Sequence, residues 1–322
     1  MSTMIKNKSK VNYLLLEVIY RSLFAYPLTF DELYFFFPIR KVSANELESL
    51  INFTPLVKKS NQYIFLSSES NIVNIRKKRL EYSKKFQKDL NLIIPIFKLV
   101  PFIKMIAISG SLATNNINKK NADIDLFMIL SDSKNIIFYK TFLKLLSKLM
   151  SLFKFDVCIN YIKSLDDLEI EHKNFYTAKE ALLVKPIYNE LIYDQFLNAN
   201  KWISDYYPNH HKMRHLNVKK AHKCISVNFW LVNLSIKLCF IIYIKLKKIF
   251  KMNYSELNHH IKLIHNPGYY CILKNLIKEK LHKYNVNFEE NEMAFLFPEI
   301  MNYKDTCEQI RLKEFKKYIM SC

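Results

Sequence analysis

The 322-residue sequence predicts a protein of the α/β class that is divided into several domains. Its length exceeds that of one ordinary compact domain, and half of its residues are apolar, which is enough to build real cores. In the central part, short apolar runs alternate with a segment of helical periodicity, a pattern typical of a sheet packed by helices. After residue 176 the periodicity is mainly helical.

The N-terminal segment has the pattern of three helices followed by a β-hairpin. Thr29 with Glu32, and Ser43 with Glu46, have the spacing of capping boxes, so each pair predicts the start of a helix. Residues 56–66 contain two short β-prone runs around a polar turn. This order predicts a winged-helix-like domain, which either docks on nucleic acid or serves protein contacts and structure.

A strongly basic helix is expected next, between Asn74 and Leu90. Arg76 and Arg79 are at i and i+3 on this helix and share a face, so we assign them as candidate nucleic-acid-binding residues that contact phosphate. The alternative is a solvated basic face, which is the usual meaning of such a charge run.

Net charge follows the same division of the chain. The formal net charge is +20. Lys plus Arg outnumber Asp plus Glu by 16 to 8 in residues 1–100 and by 20 to 9 in residues 211–322, whereas residues 101–210 have nearly equal numbers, 13 and 12. Basic flanks around a neutral centre suit an anionic macromolecule, although a generic basic surface has the same composition.

The cysteines and the N-terminus favour a cytoplasmic protein. The six cysteines are scattered without a C-x-x-C pair, which fits reduced thiols. Residues 1–10 lack the apolar region of a secretory signal. The most apolar stretch, residues 225–244, is interrupted by Asn228, Asn233 and Lys237, so a buried helix is expected there and no membrane association.

Gly110 and Ser111 form the first candidate site element. The chain has only two glycines, and Gly110 directly follows the apolar run Met105–Ser109. We expect Gly110 to meet a backbone need that excludes a side chain, either a positive φ or the close approach of a ligand. Backbone N–H groups and the Ser111 hydroxyl at this strand end then form a cradle for an anion.

Asp123 and Asp125 form the second element. They open the apolar run that continues to Leu130, and residues at i and i+2 of a strand project from the same face. Two adjacent carboxylates repel each other unless a cation lies between them, and Mg²⁺ takes few protein carboxylates together with phosphate oxygens.

A third β-prone run, residues 155–162, supplies Asp156. A carboxylate on a neighbouring strand is the remaining ligand, or proton acceptor, that a two-metal phosphoryl-transfer site needs. Asn160 lies on the same face by strand parity, together with Cys158, so the sequence leaves open whether Asp156 or Asn160 completes the site.

These motifs resemble the signature of the polymerase-β-like nucleotidyltransferase superfamily, in its minimal nucleotidyltransferase branch. The resemblance rests on Ile108–Thr114, which contains the Gly-Ser pair, and on Asp123-Ile-Asp125 after eleven intervening residues. It covers about residues 104–162 and implies a mixed-sheet core. It also implies that Gly110 and Ser111 hold the β and γ phosphates of an NTP.

The same resemblance implies the remaining roles. Asp123 and Asp125 would bind Mg²⁺ or Mn²⁺, and Asp156 would be the third acid. Lys119 and Lys120, in the loop before the acids, either help to neutralise the triphosphate or only solubilise the loop. Glu180 and Lys185 occupy positions that suit the acceptor side of the cleft.

The resulting hypothesis is a metal-dependent nucleotidyltransferase that moves an NMP from an NTP onto an acceptor hydroxyl and releases pyrophosphate. The basic flanks favour RNA, such as tRNA, or a target protein over a small alcohol as the acceptor. The alternative is a nucleic-acid-binding regulator or antitoxin-like protein whose transferase fold is non-catalytic or specific for its partner. The expected domains are the winged-helix-like domain (1–70), the basic connecting helix (71–100), the nucleotidyltransferase core (101–175) and the mainly helical C-terminal domain (176–322).

Overall fold

The computed structural model describes residues 2–118, 122–212, 238 and 267–298. Within these ranges the chain is a mixed α/β protein with two small sheets, which confirms the expected class. None of the helices in the described ranges has the length and apolar content required to cross a bilayer.

The helices and strands follow one another along the chain in this order: α1 (Ser2–Ser22), β1 (Leu28–Thr29), α2 (Phe30–Phe35), α3 (Ala44–Phe53), β2 (Val57–Ser60), β3 (Tyr63–Leu66), α4 (Ile72–Lys98), β4 (Ile103–Ile108), α5 (Gly110–Ala113), β5 (Ile124–Leu130), α6 (Ile136–Leu152), β6 (Val157–Ser164), α7 (Phe175–Leu183), β7 (Lys185–Tyr188), α8 (Glu190–Ala199), α9 (Ile203–Tyr206), a 3₁₀ turn (His210–Lys212), α10 (Pro267–Lys283) and α11 (Glu290–Leu296).

The N-terminal elements form a three-stranded antiparallel sheet of order β1-β3-β2 with three helices. Both expected capping boxes are present: the Thr29 and Ser43 side chains accept from the backbone N–H groups of Glu32 and Glu46, and each Glu side chain accepts from its cap residue's N–H. Two orphan N–H groups at each helix start are thereby satisfied, which fixes where α2 and α3 begin.

The second sheet has the order β6-β5-β4-β7. β5 and β6 are parallel and connected through α6, whereas β4 is antiparallel to both of its neighbours. The three strands β4, β5 and β6 lie where the apolar runs predict them.

The fourth strand, β7, is a correction to the sequence interpretation. The pattern predicts a helix over Thr177–Lys185 that stops before Pro186, but α7 ends at Leu183 and Lys185 begins a strand. Among the described strands, β7 pairs only with β4, so it is an edge strand there, where a proline is tolerated. The four-stranded sheet therefore contains three strands of the expected core (101–175) and one strand, β7, of the expected C-terminal domain (176–322).

Side chains of the second sheet alternate between two cores. In β5, Leu126, Met128 and Leu130 face a core shared with α4 and α6. Phe127 and Ile129 face the other core, which contains α1, α7, α8 and much of the N-terminal region. By strand parity Asp125 is on the face of Phe127.

A buried ion cluster ties α1 to α7 inside this second core. Lys179 and Glu17 are fully buried and joined by a hydrogen bond, and Arg21 donates to the other Glu17 oxygen at 3.0 Å. The Lys179 ammonium lies 3.5 Å from the centroid of the Tyr20 ring and 4.6 Å from that of Phe175. The carboxylate and the aromatic faces offset part of the cost of burying this cation.

Candidate active site

Gly110 connects β4 to the short helix α5 and contacts a carboxylate of the next strand. Its φ is +61°, in the left-handed region. A Cβ at Gly110 would lie 2.4 Å from Asp125 Oδ2, closer than real Cβ contacts occur. The Ser109 N–H donates to the Asp125 carbonyl oxygen at 2.9 Å and fixes the two strands at this point. The expected positive φ is confirmed, and the close approach is that of Asp125.

Asp123 and Asp125 lie at the N-terminal end of β5. Asp125 is half-buried within the strand and Asp123 is exposed immediately before it. Because the Gly110 turn packs against Asp125, the Gly-Ser turn and the acidic pair, which are separated in sequence, meet at one edge of the sheet.

The residue paired with Asp125 on β6 is Cys158, not Asp156. Burial, and after it the charges of Asp125 and Asp123, raise the pKa of the Cys158 thiol to about 11. The thiol is therefore protonated at pH 7 beside the two carboxylates. Its response to both carboxylates places Cys158 beside the acidic pair.

Asp156 and Asn160 flank Cys158 on either side. Asp156 is exposed just before β6, and its carbonyl accepts from the Ile124 N–H at 2.7 Å, between the two acids. Asn160 falls at a register shift, where its Oδ1 accepts from the Cys158 thiol at 3.0 Å. Both candidates for the third position thus lie on β6 or directly before it, beside β5, but the predicted metal set of Asp123, Asp125 and Asp156 does not form a three-residue cluster in the described structure.

A small cavity continues from this edge along the same face of the sheet. Asn160, Glu180 and Ser109 supply polar groups, and Phe127 with other core residues supplies the apolar walls. The buried Ser109 Oγ has no hydrogen-bond partner among the described residues. Glu180 reaches this cavity from α7.

Lys185 lies at the other side of the Gly-Ser turn. Its register partner on β4 is Ile108, two positions before Gly110. Its side chain is exposed at the surface, and partial desolvation lowers the pKa of Lys185, an effect that the charge of Glu32 opposes. A cation at this strand end lies next to the proposed anion cradle.

The sequence predicts that Arg76 and Arg79 contact nucleic acid, but both side chains point into the protein. Arg76 is buried; it donates to the Thr114 carbonyl at 2.9 Å and to the Tyr26 hydroxyl at 2.8 Å. Its guanidinium carbon lies 3.7 Å from the centroid of the Tyr26 ring. Arg79 donates to the Phe24 carbonyl at 2.6 Å. These groups brace the loop that follows the Gly-Ser turn against the N-terminal region.

The sequence of α4 contained a pattern that predicts the buried position of Arg76. Ile72, Arg76, Ser83, Phe86 and Leu90 recur at helical spacing and form its buried face. The density of lysines and arginines conceals this face, because the exposed lysines alternate with it along the helix.

The donor set fits a hard divalent cation that takes most of its ligands from a substrate. No cluster of three His, Cys, Asp or Glu side chains suited to a metal occurs in the described part of the chain. The carboxylates of Asp125 in β5 and of Asp123 directly before it, with a protonated thiol beside them, offer the few protein oxygens that Mg²⁺ or Mn²⁺ takes together with phosphate. Lys119 and Lys120 lie outside the described residues.

Comparisons with models of protein families, with curated proteins and with solved structures found no match to this chain.

Proposed function

We propose that this chain is a metal-dependent nucleotidyltransferase that moves an NMP from an NTP onto an acceptor hydroxyl. The observation that carries the proposal is the contact between Gly110 and the Asp125 carboxylate. It brings the Gly-Ser turn and Asp125 to the same end of β4 and β5, as binding of a triphosphate with its cation requires.

The topology supports the same proposal. The Gly-Ser turn follows β4, the Asp-x-Asp pair opens the adjacent β5, and β6 runs parallel beside it in a mixed sheet. This is the arrangement that the resemblance to polymerase-β-like nucleotidyltransferases implies. The order of three helices and three antiparallel strands in residues 2–66 likewise supports a winged-helix assignment for the N-terminal region.

Each residue then has a chemical task. The backbone at Gly110 and the Ser111 hydroxyl hold the β and γ phosphates, and Lys185 adds positive charge beside them. Asp123 and Asp125 hold Mg²⁺ or Mn²⁺, which when bound neutralises charge that develops on the phosphates. Glu180, at the cavity, lies on the side from which an acceptor approaches.

The reaction is an in-line displacement. The acceptor oxygen forms a bond to the α-phosphorus while the bond from that phosphorus to the α,β-bridging oxygen breaks, and pyrophosphate leaves with the bonding electron pair. The proton of the acceptor hydroxyl passes to a carboxylate. The candidate is Asp156, which directly precedes β6, the strand next to that of Asp125. Positioning and charge neutralisation supply the catalysis.

The N-terminal region gives little support to the alternative of a nucleic-acid-binding regulator. α3, the helix that would enter a groove, contains no Lys or Arg, and its Glu46 and Glu48 pair with Lys10 and Lys59. A recognition helix without basic residues lacks the phosphate contacts that supply most of the affinity for nucleic acid. We therefore favour a protein hydroxyl over an RNA hydroxyl as the acceptor.

The test is a labelling assay with purified protein, Mg²⁺ and each α-labelled NTP, with and without tRNA or lysate protein. The proposal expects transfer of label by the wild type and none by Asp123→Ala/Asp125→Ala. The matched control is Asp31→Ala, an exposed acid on α2 that should leave labelling unchanged. If the wild type labels nothing beyond the double variant, the proposed reaction is wrong.

A further inference from the structure

The small cavity beside Asp125 lies on the face of the sheet to which this residue belongs. Phe127, two positions after Asp125 on β5, is part of the cavity wall. Ser109 also lines it and donates its N–H to the Asp125 carbonyl at 2.9 Å. Asn160 lines it from β6 and accepts from the thiol of Cys158, the register partner of Asp125. The cavity therefore adjoins both the Gly-Ser turn and Asp125.

The room inside the cavity is small. Its volume is about 20 Å³, whereas a single water requires at least about 10–15 Å³. An occupant can therefore place roughly one or two non-hydrogen atoms in it. A serine side chain, which consists of a methylene and a hydroxyl group, has this size, whereas an aromatic or furanose ring is too large.

The walls of the cavity cannot recede without a loss of packing. Phe127 packs on Tyr161 and Phe196 with ring centroids 5.0 and 5.1 Å apart, and all three rings are buried. From α7, Ala181 is buried, and its carbonyl accepts from the Tyr193 hydroxyl at 2.9 Å. Because close-packed interiors resist expansion, the size of the cavity selects its occupant.

The polar groups of the cavity match a neutral hydroxyl. The buried Ser109 Oγ has no hydrogen-bond partner among the described residues, and an incoming hydroxyl can pair with it as donor or acceptor. A buried hydroxyl without a partner costs free energy, so an occupant that pairs with Ser109 is favoured. Among the described lining residues, only Glu180 carries a formal charge, and this charge repels the phosphates that flank the hydroxyls of RNA.

We propose that this cavity is the acceptor pocket of the transferase and that the acceptor is a seryl side chain of a protein. The inference rests on the proposed nucleotidyl transfer and specifies its substrate. The seryl methylene packs on Phe127, and the seryl oxygen pairs with Ser109, directly before the Gly110 turn that is proposed to hold the phosphates.

The step is balanced as a displacement at phosphorus. The seryl oxygen forms the bond to the α-phosphorus, pyrophosphate leaves with the electron pair of the bond that breaks, and the hydroxyl proton passes to a carboxylate. A threonyl side chain adds a methyl group to the occupant and a tyrosyl side chain adds a ring. In a pocket that cannot expand, both should therefore react less well than a seryl side chain.

The first experiment identifies the residue type that receives the label. The full chain is incubated with Mg²⁺, each α-labelled NTP and either lysate protein or RNA with free 5′ and 3′ hydroxyls. Mass spectrometry then locates the transferred NMP, and any label that Asp123→Ala/Asp125→Ala also produces is subtracted. We expect the NMP on serine, at least about tenfold less on threonine, and none on tyrosine or RNA.

The second experiment changes the size of the pocket at Val184, a half-buried lining residue. Val184→Ala should widen it and raise the ratio of threonine to serine labelling about tenfold. Val184→Leu should narrow it and lower serine labelling at least about tenfold, with the affinity for a fluorescent NTP analogue unchanged. The matched control is Val73→Ala, a half-buried valine on α4 outside the cavity, which should leave both readouts at the wild-type value.

Three results would overturn the inference, and they differ in what they leave standing. Label on tyrosine or on RNA refutes the pocket and leaves the proposed reaction intact. Identical labelling by the wild type and both Val184 variants means that the cavity holds buried water only. A wild type that labels nothing beyond the double variant refutes the proposed reaction and the acceptor together. Circular dichroism verifies that each variant is folded.

Discussion

Arg76→Met removes a buried cation while roughly keeping its volume, and its cost follows from the contacts of the guanidinium. Two hydrogen bonds are lost, to Thr114 O and Tyr26 Oη, together with the ion pair to Glu32 at 3.6 Å. The Glu32 side chain is 29% exposed, so water recovers part of that loss. Removal of one partner of a largely buried cluster costs about 3–5 kcal/mol.

This loss is a large fraction of the ordinary stability of a protein, which is about 5–15 kcal/mol. Urea unfolding followed by far-ultraviolet circular dichroism should show a lower midpoint with an unchanged denaturant dependence. Lys77→Met, at the exposed neighbouring position on α4, should stay within about 0.5 kcal/mol of the wild type.

The result also distinguishes the two roles considered for Arg76. A loss below about 1 kcal/mol, combined with weaker and less salt-dependent RNA binding, would refute the structural role and restore the phosphate contact. If the structural role is correct, the loop at Thr114 loosens as well, so a variant still folded in the assay should show a higher KM for NTP.

Three further predictions concern the site and the core. Gly110→Ala should abolish labelling and lower stability by about 1–3 kcal/mol, because its Cβ meets the Asp125 carboxylate and its φ is positive; wild-type labelling would contradict this. Asp156→Asn should reduce kcat at least about tenfold if Asp156 accepts the proton. A larger loss of kcat in Asn160→Ala than in Asp156→Asn would instead identify Asn160 as the residue that completes the site. Burial lowers the pKa of Lys179 to about 7, so above this pH the unfolded chain binds more protons and the free energy of unfolding rises from about pH 7 toward 10. Lys179→Met should flatten this rise in urea unfolding at several pH values, and an unchanged slope would contradict the assignment.

Local signals made much of the fold predictable. The capping boxes of Thr29 and Ser43 fixed two helix starts, because a cap and its partner lie three residues apart. Strand alternation in β5 was also predictable, and it places Asp125 on the face of Phe127, whereas Asp123 lies just before the strand. The positive φ of Gly110 was predictable from its position after an apolar strand in a chain with two glycines.

Long-range contacts explain what the sequence did not reveal. β7 is short and contains Pro186, and it is a strand only because β4 offers an open edge. The contact of Gly110 with Asp125, and the pairing of Asp125 with Cys158, depend on the register between strands distant in sequence. The sequence indicated a phosphate contact or a solvated face for Arg76, because its actual partners, Tyr26 and Thr114, come from other segments.

The Lys179 cluster limits how this protein can be cut or recombined. A chain begun at residue 101 would keep Lys179 but lose Glu17, its counter-ion, and Tyr20, one wall of its aromatic enclosure. An ammonium left in an apolar interior would either drop its proton or open the core to water. The N-terminal segment therefore completes the core in which α7 is buried, and grafting the chain from residue 101 onward onto another partner would require a substitution at Lys179 first.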